Sequence, residues 1–234
     1  MLSNTLRTRG LHAAVRFAPA ATLDKQHKQQ FQVKCGEGFD WRREEYNEHL
    51  WVVQSPQTQG DPRSQLKLSI QRDLLSFEDH FPTGSLDLFN DNLQMVLNGF
   101  AAVFNPRLIV GSGAVIRMTV EAPGGDARIF LGNRTLQMGD KLGPIGRPIH
   151  AVGLRLLLPP LPGENQPNWQ AEVKIESLVE DYRQIFIEVD ARWGTSMAWN
   201  PEDVLNHLRT AHEFASNRVV PFLEQFEDGA PPAK

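Results

Sequence analysis

The stretch Leu11–Leu23 reads "LHAAVRFAPAATL", and Ile149–Leu161 reads "IHAVGLRLLLPPL". Each starts with an apolar residue and a histidine, passes through small residues to an arginine with apolar neighbours, and closes near proline. In the first, Ala13, Val15 and Phe17 share one side at a period of two. In the second, Val152, Leu154, Leu156 and Leu158 do the same. That period marks a β-strand with one buried side. The two phrases predict equivalent strands, each opening one half of the chain, with the histidines at the strand entrances.

Beyond each phrase the chain keeps a common order. After the first comes a polar interval at 24–48, with Phe31, Val33, Phe39, Trp41 and Tyr46 scattered through it, where helix and irregular structure both remain open. "LWVVQ" at 50–54 is a short strand, 55–64 is a loop by composition, and "QLKLSIQRD" alternates with Leu66, Leu68 and Ile70 inward. Phe89, Leu93, Val96, Leu97, Phe100 and Phe104 then recur at three and four residues, the spacing of an amphipathic helix. Ser85 caps it, Asp87 suits its first turn, and Asn105-Pro106 stops it. "VIRMTV" at 115–120 is a strand, "ARIFLGNRTLQM" at 127–138 a strand or hairpin arm, and the Gly/Pro-rich 139–148 a linker.

The second half repeats the scheme. A loop at 159–168 separates its opening strand from "WQAEVKIESL", which turns Ala171, Val173 and Ile175 to one side, and "RQIFIEVDARW" is a further strand. A long helix starts at Asn200-Pro201 with Glu202 and Asp203 facing its dipole. Its buried stripe is Val204, Leu208, Ala211, Ala215, Val219, Phe222 and Phe226, and Pro221 should kink or fray its last turns. Asp73 corresponds to Asp190, and Leu88-Phe89-Asn90 to Val204-Leu205-Asn206. The expected fold is α+β in two similar halves, each an antiparallel sheet covered by one long amphipathic helix. Tandem duplication would produce this order, as would two-layer packing without common ancestry. The boundaries are 1–138, a linker at 139–148, 149–226 and a disordered tail at 227–234, or one compact domain.

"DLLSFEDHFPTGSLDLFNDNLQMVLNGFAAVF", "VIRMTV" and "IFIEVDARW…PEDVLNHLRTAHEFASNRVVPFLE" together resemble a sporadically distributed family of uncharacterised bacterial proteins. Members are of similar size and end in a strand, a loop and a long helix containing "AHE". In that family the strand after the first long helix reads like Gly-Leu-Arg-Tyr-Ile-Asn. Here it reads "GAVIRMTV", which keeps Arg117 alone, and "GLR" appears instead at 153–155. The resemblance covers most of the chain but carries no catalytic signature. It implies an α+β fold and a bacterial or phage context, with patchy distribution suiting mobile or defence-related genes.

The 234 residues are 41% hydrophobic and 22% charged, ordinary for a globular chain. A formal net charge of -4, from 24 basic and 28 acidic residues, argues against general nucleic-acid binding. Cys35 is the one cysteine, so no intrachain disulfide forms, which suits a reducing, cytoplasmic setting. The longest apolar run, 154–161, holds two prolines and is too short to span a bilayer, so no membrane association is expected. Residues 1–21, with Arg7, Arg9 and Arg16, read as a first strand rather than a targeting segment.

Catalytic and cofactor signatures do not assemble, and no catalytic residue, metal or cofactor is expected. "VGSGAVI" at 110–116 lacks the third glycine and following helix of a dinucleotide loop. His207 and His212 are five apart, off the spacing of a zinc helix, and "FEDHF" at 77–81 reads as a capping turn. No Gly-x-Ser-x-Gly elbow exists, and Cys35 reads as packing. Glu188 with Asp190, and Glu172, Lys174 and Glu176, read as solvated strand faces. The candidate binding residues are Arg16, Arg117 and Arg155, which interrupt apolar strands, and Trp193 and Trp199, which flank a loop. The arginines form either a basic stripe or separate pairs with Asp73 or Asp190; the tryptophans form either a rim or packing under a helix end. The expected function is a non-enzymatic binding or assembly protein. It would act on a protein partner or on a second copy, through a sheet face or the cleft between halves. The alternatives are a small-molecule sensor or immunity-type module with a pocket there, and an enzyme of unrecognised class.

Overall fold

A computed structural model describes residues 1–35, 39, 43–56, 62–163 and 168–227. Trp41, most of the expected tail at 227–234, and parts of the loops expected at 55–64 and 159–168 lie outside the described residues. The fold is mixed α+β around a single ten-stranded antiparallel sheet. Its strands are β1 (Arg7–Ala18), β2 (Arg43–Tyr46), β3 (Leu50–Pro56), β4 (Gln65–Gln71), β5 (Leu74–His80), β6 (Leu108–Glu121), β7 (Gly153–Leu158), β8 (Gln170–Ser177), β9 (Gln184–Trp193) and the two-residue β10 (Met197–Ala198). Across the sheet the order is β2-β3-β4-β5-β1-β6-β9-β8-β7, with β10 added to β6.

The two opening phrases are both strands, but they do not occupy equivalent places. β1 lies at the centre, paired to β5 and β6, whereas β7 is an outer strand paired only to β8 among the described residues. The difference shows in burial. Leu11, Ala13, Val15 and Phe17 are buried, while Leu156, Leu157 and Leu158 are exposed. Alternation thus predicts which side each residue takes, and the neighbours decide how much that side is covered.

Among the described residues, the helices lie on one side of the sheet. α1 (Lys25–Cys35) rests its Phe31 edge-on against Trp51 of β3 at 5.4 Å. α2 (Leu86–Phe104) sets Phe89 on Phe77 of β5 at 5.2 Å and Phe100 on Phe17 of β1 at 4.8 Å. Ser85 caps α2 by accepting from the Leu88 N–H, as its sequence predicts, and Asn105 ends it in the left-handed conformation. α1 and α2 pack so closely that a Cβ at Gly99 would sit 2.3 Å from Cys35 Sγ. That burial pushes the thiol up to about 11, which leaves Cys35 unreactive packing.

The segment 127–138, expected as a strand or hairpin arm, is helical over Ala127–Thr135. Asp126 accepts from the N–H groups of Arg128 and Ile129 and starts α3 (Ala127–Ile129), which continues as a π turn over Phe130–Thr135. Ala127, Phe130 and Leu131, at helical spacing, are the buried residues. A short 3-10 helix covers Gly139–Ile145, inside the expected linker.

The last helix begins where predicted, with Asn200 accepting from the Glu202 N–H and Pro201 at the first position of α4 (Pro201–Phe214). Where Pro221 is expected to kink or fray the last turns, the chain widens into a π turn over Ala215–Val219 and continues as α5 (Val220–Glu224). The widened turn rotates the buried stripe. Val220 and Leu223 are fully covered, and Phe222 and Phe226 only partly. Of "FEDHF", expected as a capping turn, Phe77–His80 complete β5 with Phe77 and Asp79 on the helix side, and only Phe81, with φ near 50°, turns out of the strand.

Candidate functional site on the open face of the sheet

Along β1, the residues between the core positions are Gly10, His12, Ala14 and Arg16. Their counterparts on β6 in register are Arg117, Val115, Gly113 and Gly111. These side chains point away from the helices, and among the described residues no helix or strand lies over them. The centre of this face is hollow. A groove of about 390 Å³ is lined by His12, Ala14, Arg16, Leu74, Gly111, Ser112, Gly113, Val115, Asp190, Arg192 and Trp193.

Three small residues make the floor. A side chain at Ala14, Gly111 or Gly113 would rise into the space, and a Cβ at Gly111 would already press the Trp193 carbonyl oxygen at 3.2 Å. A register shift between Arg16 and Phe17 in the β1–β6 pairing bends the strands at the same place. A second hollow of about 280 Å³ adjoins it over β9, β8 and β7 and shares Asp190 and Arg192 as a common wall.

The walls are charge-paired. Arg16 Nη1 lies 2.9 Å from Asp73 Oδ2, and Arg192 holds Asp190 on its own strand. Beyond the groove an alternating ladder crosses β6, β9, β8 and β7. Arg117 Nε donates to Glu188 at 2.8 Å, Lys174 Nζ bridges Glu188 at 2.7 Å and Glu172 at 3.6 Å, and Arg155 Nη2 meets Glu172 at 2.6 Å. Burial works to raise the Glu188 carboxyl, but the hydrogen bonds from Lys174 and Arg117 outweigh it and hold it below its ordinary range.

On the other flank Glu78 is held down to about 2, first by its hydrogen bond with His80 at 3.0 Å and also by nearby charges, including Lys67 at 3.4 Å. His12 is pushed below its ordinary range by burial, against the pull of Glu78, and its Nε2 is buried with no hydrogen-bond partner. It sits mid-strand on the groove wall, not at the strand entrance as expected.

Of the five residues singled out from sequence, Arg16 and Trp193 meet at the groove. Arg117 and Arg155 face the same open side further out. Arg16 and Arg155 are four strands apart, about 19 Å at ~4.8 Å per strand, so each has its own carboxylate and no continuous basic stripe forms. Arg16 takes Asp73, one of the two expected partners; Arg117 and Arg155 take Glu188 and Glu172, while Asp190 holds Arg192.

The tryptophans are packed rather than displayed. Trp193 is stacked between Trp169 at 5.4 Å and His207 at 4.2 Å, and Trp199 lies against Phe17 and Phe100. His207 Nδ1 is 2.7 Å from Ser112 Oγ, a pairing across 95 residues that joins α4 to β6. Burial pushes the His207 imidazole below its ordinary range, which favours the neutral ring beside the Ser112 hydroxyl. Gly111, Gly113 and Ala14, which floor the groove, are not among the residues singled out from sequence. Their signal was small residues at alternate positions of a long strand, visible only once "VGSGAVI" is read as strand interior.

Among the described residues, no cluster of three His, Cys, Asp or Glu side chains could hold a metal ion. None of the described helices is long and apolar enough to cross a membrane. The chain matches no known protein-family model, and no curated protein shows significant similarity to it.

Proposed function

We propose that this chain is a non-enzymatic binding protein that presents the open side of its sheet to a partner, with the groove between β1 and β6 as the centre of the contact. The observation that carries this is the one-sided cover. Ten strands are packed by helices on one face, while the other holds ordered, neutralised charges around a glycine-floored depression. Mixed charge of this kind suits a protein surface better than a polyanion, since no uncompensated basic stripe is present among the described residues. The bacterial or phage context implied by the family resemblance, and a place in a larger or defence-related assembly, are part of the same proposal.

A second reading, a small-molecule sensor, draws support from the groove volume of about 390 Å³, which falls in the range of small-ligand pockets. Both readings gain from a two-unit view of the chain that differs from the one its opening phrases suggest. Outward from the centre, the strands run β1, β5, β4, β3 on one side and β6, β9, β8, β7 on the other, and the two series end in α2 and α4. We infer a repeated unit of a long strand, a three-strand meander and a long helix, which makes β6 the counterpart of β1, and β3 that of β7.

The test is Ala14→Leu, which fills the groove floor without touching the core. In a thermal-shift screen of small anionic and aromatic compounds, and in binding assays with proteins encoded beside the gene, a true ligand stabilises or binds the wild type and loses the variant. A ligand that binds both equally removes the groove from the proposal.

A further inference from the structure

The two outer strands of the sheet are finished differently. β2 is four residues long and reads REEY; Glu44 accepts from Trp51 Nε1 at 2.8 Å and also holds Lys28, and the Tyr46 hydroxyl donates to the Leu23 carbonyl. Short, charged strands of this kind resist edge-to-edge pairing. β7 has no such guard. Its outward edge is unpaired among the described residues, and Leu156, Leu157 and Leu158 are 38%, 68% and 38% exposed. Its single charge, Arg155, is neutralised by Glu172 at 2.6 Å.

We propose that β7 pairs antiparallel with β7 of a second copy of this chain, about a two-fold axis through Leu156, joining two sheets edge to edge. The strand's own register selects this occupant. Residues directly opposite in an antiparallel pair point to the same face, so a two-fold pairing must centre on a residue. Centred on Arg155, it would set two guanidiniums against each other. Centred on Leu156, it sets Leu154 against Leu158 of the second copy and Leu156 against itself on the helix side. Arg155 then meets Leu157 on the open side. All of 154–158 is paired, every opposed pair includes a leucine, and no like charges meet. Pro159 and Pro160, which lack N–H groups, end the ladder. The guarded β2 edge stops further addition, so the assembly closes as an isologous dimer rather than a filament. This surface is separate from the groove between β1 and β6, and its test stands apart from that of the groove.

The test is the oligomeric state of the full chain by sedimentation velocity. The wild type should sediment at twice the chain mass. Leu156→Lys, which sets two ammonium groups opposite each other at the axis, should weaken association by about a hundredfold or more and leave a folded monomer whose cooperative melting no longer depends on protein concentration, as that of the wild type should. A second measurement fixes the register. Because Cys35 is the only native cysteine and is buried, a short bifunctional thiol reagent reports on introduced cysteines alone. Leu156→Cys should cross-link to its own copy readily. Leu154→Cys should not, since its counterpart lies about 14 Å away at ~3.4 Å per residue. A monomeric wild type, a dimer that survives Leu156→Lys, or equal cross-linking at 154 and 156 each overturns the proposal.

Discussion

β1 and β7 share a phrase and differ in almost everything that the phrase does not encode. Each alternates apolar and polar residues and carries an arginine on the open side of the sheet, and each arginine finds a carboxylate on a neighbouring segment: Arg16 with Asp73, Arg155 with Glu172. Yet β1 is flanked on both sides and roofed by α2 and α4, while β7 has one neighbour among the described residues and exposed leucines. Local pattern determines the strand and the direction of each side chain. Position in the sheet, which long-range pairing determines, decides whether that side chain stabilises a core or offers a contact.

The comparison breaks first on stability. Phe17 is 3% exposed and packs on Phe100 and Trp199. Phe17→Ala should cost about 3–5 kcal/mol in denaturant unfolding, whereas Leu156→Ala in β7, compared at concentrations where the chain is monomeric, should cost less than about 1 kcal/mol. Equal costs would mean that β7 is as covered as β1.

Acid should separate the two strands next. Burial lowers His12, His207 and His212 from the ordinary 6.5, so the unfolded chain binds their protons more readily than the folded one. Stability should therefore decline as pH falls below about 6.5. Glu78, lowered from 4.5 to about 2, contributes stability that is full above 4.5 and lost as pH falls toward 2. His12→Gln should shallow the first decline in a melting-temperature profile, and changes within β7 should leave the profile untouched.

The arginines give the smallest contrast. Arg117 is 36% exposed over a Glu188 that is 13% exposed, so Arg117→Met should cost about 1–2 kcal/mol by leaving that carboxylate to Lys174 alone. Arg155→Met, at a site 63% exposed, should change stability by less than about 0.5 kcal/mol. A double-mutant cycle with Glu188 and Glu172 measures both.

Most strands, both long helices and their caps were legible from sequence, because periods of two and near four and residues such as Ser85 and Asn200 are local signals. The mixed α+β class with a large antiparallel sheet rests on them. Which strand lies beside which was not legible: β1 and β6 meet across about a hundred residues, a pairing that no local pattern records. The segment 127–138 is helical although "ARIFLG" alternates well enough for a strand, because the helix depends on the Asp126 cap just before it. The groove escaped for a related reason. Glycines in "VGSGAVI" look like a turn until neighbours on both sides make them the middle of a sheet.

One side of β6 faces open space while the other is core, and adjacent positions on that strand test this directly. Val115 lines the groove, and Ile116 is fully buried under the helices. Val115→Cys and Ile116→Cys should be labelled separately with a maleimide under native conditions, Cys35 staying silent because burial pushes its thiol up to about 11. The thiol at 115 should react within minutes, and the thiol at 116 only as the chain unfolds. Equal protection at the two positions would mean that the second face is covered as well, and would contradict a sheet open on one side.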